Sequence, residues 1–149
     1  NSTVVITQSA TGSNVGGFIG EIVAGTVLIE DSYNATKVTN TETASPDKVG
    51  GICGKVAEGV SFTITRCYVS ASVTLTKSAS GAAVADAILA SGSAAVTDTY
   101  FDKAAKKTST GAIKFASDAW PTWSVGAAWG SIGAYGDGGA AIVYPKLSW

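Results

Sequence analysis

The sequence predicts an all-β fold: one domain in which short repeats stack and equivalent strands pair. Two observations carry this prediction. A glycine-rich segment recurs, as "VGGFIGEIVAGTVLIEDSY" from Val15 and "VGGICGKVAEGVSFTITRCY" from Val49, 34 residues later. Around it, apolar residues alternate over short runs instead of following a helical period. Val27 and Ile29, then Phe62 and Ile64, have polar or smaller neighbours. Gly, Asn, Ser and Pro separate the runs, and "NTETASPDK" is a loop. A period of this length marks a repeat architecture.

The elements follow in order. Residues 1–14 read as a partial first coil, because "TVVITQSATGSN" resembles the "KVTNTETASPDK" and "VTLTKSAS" that lead into later glycine segments. Residues 15–48 form repeat 1, 49–80 repeat 2, 81–110 a degenerate repeat 3 and 111–149 a C-terminal cap, all within a single domain 1–149. Val15-Gly16-Gly17-Phe18 falls over Val49-Gly50-Gly51-Ile52, and Gly81-Ala82-Ala83-Val84 is taken as the third copy. Downstream, Val27, Ile29 and Tyr33 match Phe62, Ile64 and Tyr68, then Ala94, Val96 and Tyr100.

A single repeat cannot bury its apolar face, but stacked repeats can, each strand lying about 4.8 Å from its equivalent. The expected inward columns are Phe18, Ile52, Val84; Ile22, Val56, Ile88; and Val27, Phe62, Ala94. Gly17 and Gly51 are placed at a bend without room for a Cβ or with positive φ, Ala83 replacing them in the last copy. Asp31, Arg66 and Asp98 are equivalent, so a stack would alternate their signs.

Composition narrows the function classes. The chain has 149 residues, 14% of them charged, with a net charge of −1. That balance supplies no field for nucleic acid or an anionic membrane. Histidine is absent and Arg66 is the only arginine. The commonest general base and nitrogen metal ligand are therefore missing. No apolar run approaches the roughly 20 residues needed to span a bilayer. The start at Asn1 without Met, and the lack of a signal peptide, read as a processed or excised piece. Few charges and many Ser and Thr point to an extracellular protein.

The repeated "VGGFIG" and "VGGICG", each followed by an apolar strand and "DSY" or "RCY", resemble the GLUG-motif repeat. The end of the chain, "TDTYFDKAAKKTSTG" followed by spaced tryptophans and "YPKLSW", is similar to the segment closing such repeats. The resemblance covers residues 15–110, and 111–149 more loosely. It implies a short right-handed parallel β-solenoid, here of three to four coils with an irregular aromatic cap. It further implies a secreted or surface-anchored protein, often an adhesin, and carries over no catalytic residue. The chain departs from the pattern at Asp86, where a glycine is expected and where the carboxylate is read as exposed.

Several features have two readings. Trp120, Trp123, Trp129 and Trp149 either stack on sugar rings or cap an open end, and the cap is preferred. Cys53 and Cys67 form a disulfide or remain two buried thiols. Asn1 and Asn34 begin N-glycosylation sequons that chance also explains. Val4, Val5 and Ile6 form a candidate assembly strand. "GDGG" around Asp137 lacks the carboxylates of a calcium loop. No cofactor, metal or catalytic residue is expected.

The function expected is a non-catalytic extracellular structural or adhesive module of a cell-surface protein. Its expected partners are surface proteins, glycans or further copies of itself, with no nucleic acid and no membrane insertion. The alternatives are a self-assembling filament or surface-array subunit, and a carbohydrate-binding module using the tryptophans.

Overall fold

The computed structural model describes residues 14–40, 48–69, 73–75, 84–102, 113–115, 129–131 and 146–147. The elements in these residues are all β-strands. A first set comprises β1 (Asn14–Gly16), β2 (Ile19–Ile22), β3 (Thr26–Glu30), β4 (Tyr33–Asn34) and β5 (Val38–Asn40). A second comprises β6 (Lys48–Gly50), β7 (Cys53–Val56), β8 (Ser61–Thr65), β9 (Tyr68–Val69) and β10 (Val73–Leu75). The third comprises β11 (Val84–Asp86), β12 (Leu89–Ser91), β13 (Ala95–Thr97) and β14 (Tyr100–Asp102). β15 (Ile113–Phe115), β16 (Trp129–Ser131) and β17 (Lys146–Leu147) follow.

Within a set, successive strands do not pair. Each pairs in parallel with its counterpart in the next set, giving sheets β1-β6-β11, β2-β7-β12, β3-β8-β13, β4-β9-β14-β15 and β5-β10. The register joins like to like: Val15 to Val49, Val27 to Phe62, Ile29 to Ile64, Tyr33 to Tyr68 and Val38 to Val73. The exception is an antiparallel pair of β16 and β17. Parallel pairing without intervening helices puts hydrogen bonds between sets and leaves each set to turn sharply at its corners.

Residue chemistry makes those corners. Asp31, Arg66 and Asp98 each hold φ between 45° and 49°, the left-handed region that Asp tolerates better than most side chains. At the first bend, a Cβ on Gly17 would collide with the Gly51 carbonyl, and one on Gly51 with the Ala87 carbonyl. The obstacle is the next set's backbone, joined at Gly17 by the Asn34 side chain; neither glycine has positive φ.

The third repeat is displaced from its expected place. Ala85 lies over Val49 and Leu89 over Cys53, an offset of 36, whereas Ala95 lies over Thr63, an offset of 32. Four residues are missing from the turn around Gly92. Ile88 therefore joins the Phe18–Ile52 column in place of Val84, and leaves the Ile22–Val56 column. The amides confirm the equivalence. Those of Phe18 and Ile19 donate to the Ile52 carbonyl, and those of Ile52 and Cys53 to the Ile88 carbonyl, at 2.9–3.1 Å. Ala87, and not Ala83, stands over Gly51. Asp86 stands over Gly50, not over Gly54, and is half-buried. Its Oδ1 accepts from the amides of Ile88 and Leu89 at 2.8 and 3.1 Å, so it serves the bend.

The core is densest in the middle set. Val49, Ile52 and Ile64 are fully buried, as are Ile88 and Val69, each such side chain contributing about 1.5–3 kcal/mol of apolar transfer. Phe18 departs from the inward expectation: it occupies the Ile52 column but is 44% exposed. Among the described residues, β1 to β4 have a strand neighbour on one side only.

Candidate functional site

The charges of the first and second sets meet across the sheets. Lys55 Nζ lies 2.8 Å from Glu21 Oε1, in the column where β2 and β7 pair. This contact, chiefly its hydrogen bond, holds the Glu21 carboxyl below its ordinary value. One corner further on, Arg66 donates from Nε to Asp31 Oδ1 at 2.7 Å and from Nη2 to Asp31 Oδ2 at 2.6 Å. Arg66 Nη2 also reaches Glu30 Oε2 at 3.2 Å. The bidentate bond to Asp31 raises the guanidinium's already high pKa. The expected sign alternation along this column thus becomes a direct ion pair between residues 35 apart in the chain.

Beyond this corner runs a column of tyrosines. The rings of Tyr33 and Tyr68 stack with centroids 5.1 Å apart and planes 7° from parallel. Tyr100 pairs with Tyr68 on the other side. Tyr33 is exposed, Tyr68 buried and Tyr100 half-buried. Burial raises the Tyr100 phenol above its ordinary value, with the Asp98 charge adding to it. The next residue of each strand, Asn34, Val69 and Phe101, is buried.

That alternation corrects the sequon reading at Asn34. Asn34 is 4% exposed, its Nδ2 donates to the Gly51 carbonyl at 2.7 Å and its Oδ1 accepts from the Thr36 amide at 2.7 Å. The amide nitrogen that would carry a glycan is turned inward and engaged.

Cys53 and Cys67 are both buried and both free. No disulfide joins them, so the reading as two small buried residues describes this structure. Cys53 sits between Ile19 and Leu89 in its column and donates to the Lys55 carbonyl at 3.4 Å. Cys67 repeats a bond made in each set. Ser32 Oγ donates to the Glu30 carbonyl at 2.7 Å, Cys67 Sγ to that of Thr65 at 3.2 Å and Thr99 Oγ1 to that of Thr97 at 2.9 Å. The side-chain donor satisfies a carbonyl two residues back, across the left-handed corner. Burial pushes both thiols up to about 11, which leaves them protonated and unreactive near neutrality.

Two cavities lie at the first and third sets, the opposite ends of the columns among the described residues. One, of about 440 Å³, is lined by Phe18, Ile19, Leu28, Ile29, Glu30 and Ser32, all of the first set. The other, of about 390 Å³, includes Asp86, Leu89, Ser91, Ala94 and Val96 of the third. Leu28 is 56% exposed at the middle of β3. Sequence reasoning missed the first of these because strand pattern marks which residues face inward, not which set lies last.

The other expected site residues lie outside the described residues: Asn1, Val4, Val5 and Ile6, and Trp120, Trp123 and Trp149. Of Trp129, only its backbone place in β16 is described. Among the described residues, no group of three or more His, Cys, Asp or Glu side chains is placed to hold a metal ion, and no helix is long and apolar enough to cross a membrane. Comparison with protein-family models, with characterised proteins and with solved structures finds no match to this chain.

Proposed function

We propose that this chain is a non-catalytic structural or adhesive module of a cell-surface protein, built as a short right-handed parallel β-solenoid of the kind formed by GLUG repeats. The observation that carries the reading is the register. Val15 lies on Val49, Ile29 on Ile64, Tyr33 on Tyr68 and Val38 on Val73, so each strand of one set supports its equivalent in the next. Polar side chains spent on corners and cross-set ion pairs support a scaffold role: Asp31 with Arg66, Glu21 with Lys55, and Asn34 on Gly51.

The filament reading through an assembly strand at Val4, Val5 and Ile6 lies outside the described residues; direct stacking of one copy's third set on another's first is opposed by two features. It would bring Asp98 over Asp31. It would also contest the layer beyond β14 that β15 already occupies.

The test is accessibility on intact source cells. An antibody against the chain should label unpermeabilised cells, external protease should remove the label, and the Fab should reduce attachment of those cells to a glycan- or protein-coated surface. Label that appears only after permeabilisation would overturn the surface assignment. Cleavage of a polysaccharide panel by the purified chain would overturn the non-catalytic one.

A further inference from the structure

We propose that the side of β3 away from β8 is a docking edge for an extended segment of a different polypeptide, which adds in parallel with apolar residues over Val27 and Ile29 and a basic residue beside Glu30. This inference rests on the stacked-strand reading above. β3 has a strand neighbour, β8, on one side only among the described residues. Its residues alternate between exposed and half-buried, whereas the equivalent β8 alternates between exposed or half-buried and fully buried. Val27 and Ile29 pack against the core but stay half-buried, with no strand over them among the described residues. The roughly 440 Å³ cavity lies against this edge, with Phe18 and Leu28 exposed beside it. Exposed strand edges carry main-chain groups that accept an added strand, and side-chain pockets then select its sequence.

The chemistry of the occupant is set by charge and by what the molecule does on the other edge. There β8 supplies Phe62 over Val27, Ile64 over Ile29 and Arg66 at the corner. Arg66 is held by two short bonds to Asp31, and only a longer contact of 3.2 Å goes to Glu30, whose side chain is 51% exposed. A second cation at Glu30 continues the sign alternation. The third set of another copy does not supply it, since it brings Thr97 to the Glu30 column and Asp98 to the corner.

The test uses the full chain and a fluorescent peptide of the Val60–Arg66 sequence, capped at both ends, as a probe with the β8 pattern. The peptide should bind saturably by anisotropy. Its Arg66→Glu counterpart should bind about tenfold more weakly, and Glu30→Lys in the protein should reverse that preference. Leu28→Lys should abolish binding of both. Circular dichroism and the inter-strand NMR contacts of β3 with β8 report whether each variant keeps the fold. With those contacts intact, absence of saturable binding, or binding indifferent to Glu30→Lys, overturns the docking edge alone. Loss of the contacts in the unaltered chain overturns the stacked-strand reading itself. Concentration-dependent dimerisation abolished by Leu28→Lys overturns the choice of a different polypeptide in favour of a second copy.

Discussion

Cys67 occupies a position that Ser32 and Thr99 fill in the neighbouring sets, and all three make the same bond to a carbonyl two residues back. The equivalence of these residues was legible in the aligned repeats; the bond was not, because it depends on the left-handed corner between donor and acceptor. The two thiols also make a pH prediction. Each is held protonated by burial, with the folded value raised from 9.0 to about 11. The unfolded chain therefore loses these protons first. Stability is full below pH 9 and falls as pH rises from 9 to 11, by on the order of 2 kcal/mol per thiol. Urea unfolding across this range should show the decline, and Cys53→Val with Cys67→Thr should flatten it. An equally steep decline in the double variant would show that other groups cause it. At neutral pH, Cys67→Thr keeps the corner bond, whereas Cys67→Val removes it and leaves the Thr65 carbonyl with the Asp31 amide at 3.3 Å, which should cost about 0.5–1 kcal/mol more.

For the elements, the first two sets could be aligned from sequence because their glycine segments and strands keep nearly one spacing. The third slipped by four residues. "GAAVADAI" offers small and apolar residues in two registers, and the shortened turn around Gly92 leaves no signature of its own. Stacking explains what the true register tolerates. Gly17 and Gly51 face the backbone of the set above, but Ala87 lies in the bend between β11 and β12, the last strands of their sheets, where the described residues place no further carbonyl. Gly51→Ala should therefore be costly, at least about 2–3 kcal/mol, since its Cβ meets the Ala87 carbonyl and approaches Val69 Cγ1 to 2.9 Å. Gly25→Ala has open space and only the strain of φ 92°, about 1 kcal/mol. Chemical denaturation of the two variants gives the comparison, and equal costs would contradict the stacking explanation.

Across the whole molecule, parallel pairing of equivalent strands was legible because one repeat has too little apolar surface to fold alone. Which set ends the described stack was not. Phe18 and Ile52 hold the same position in the pattern, yet one is 44% exposed and the other fully buried. That difference arises from the order of the sets in the stack, a property no single repeat encodes. The most direct test is an NMR map of inter-strand contacts on the full chain. Amide-to-α-proton contacts are predicted in the parallel pattern between Val15 and Val49, Val27 and Phe62, Tyr33 and Tyr68, and Leu89 and Cys53. Close α-proton pairs between consecutive strands, such as β2 with β3 or β7 with β8, would mark antiparallel hairpins and contradict the account.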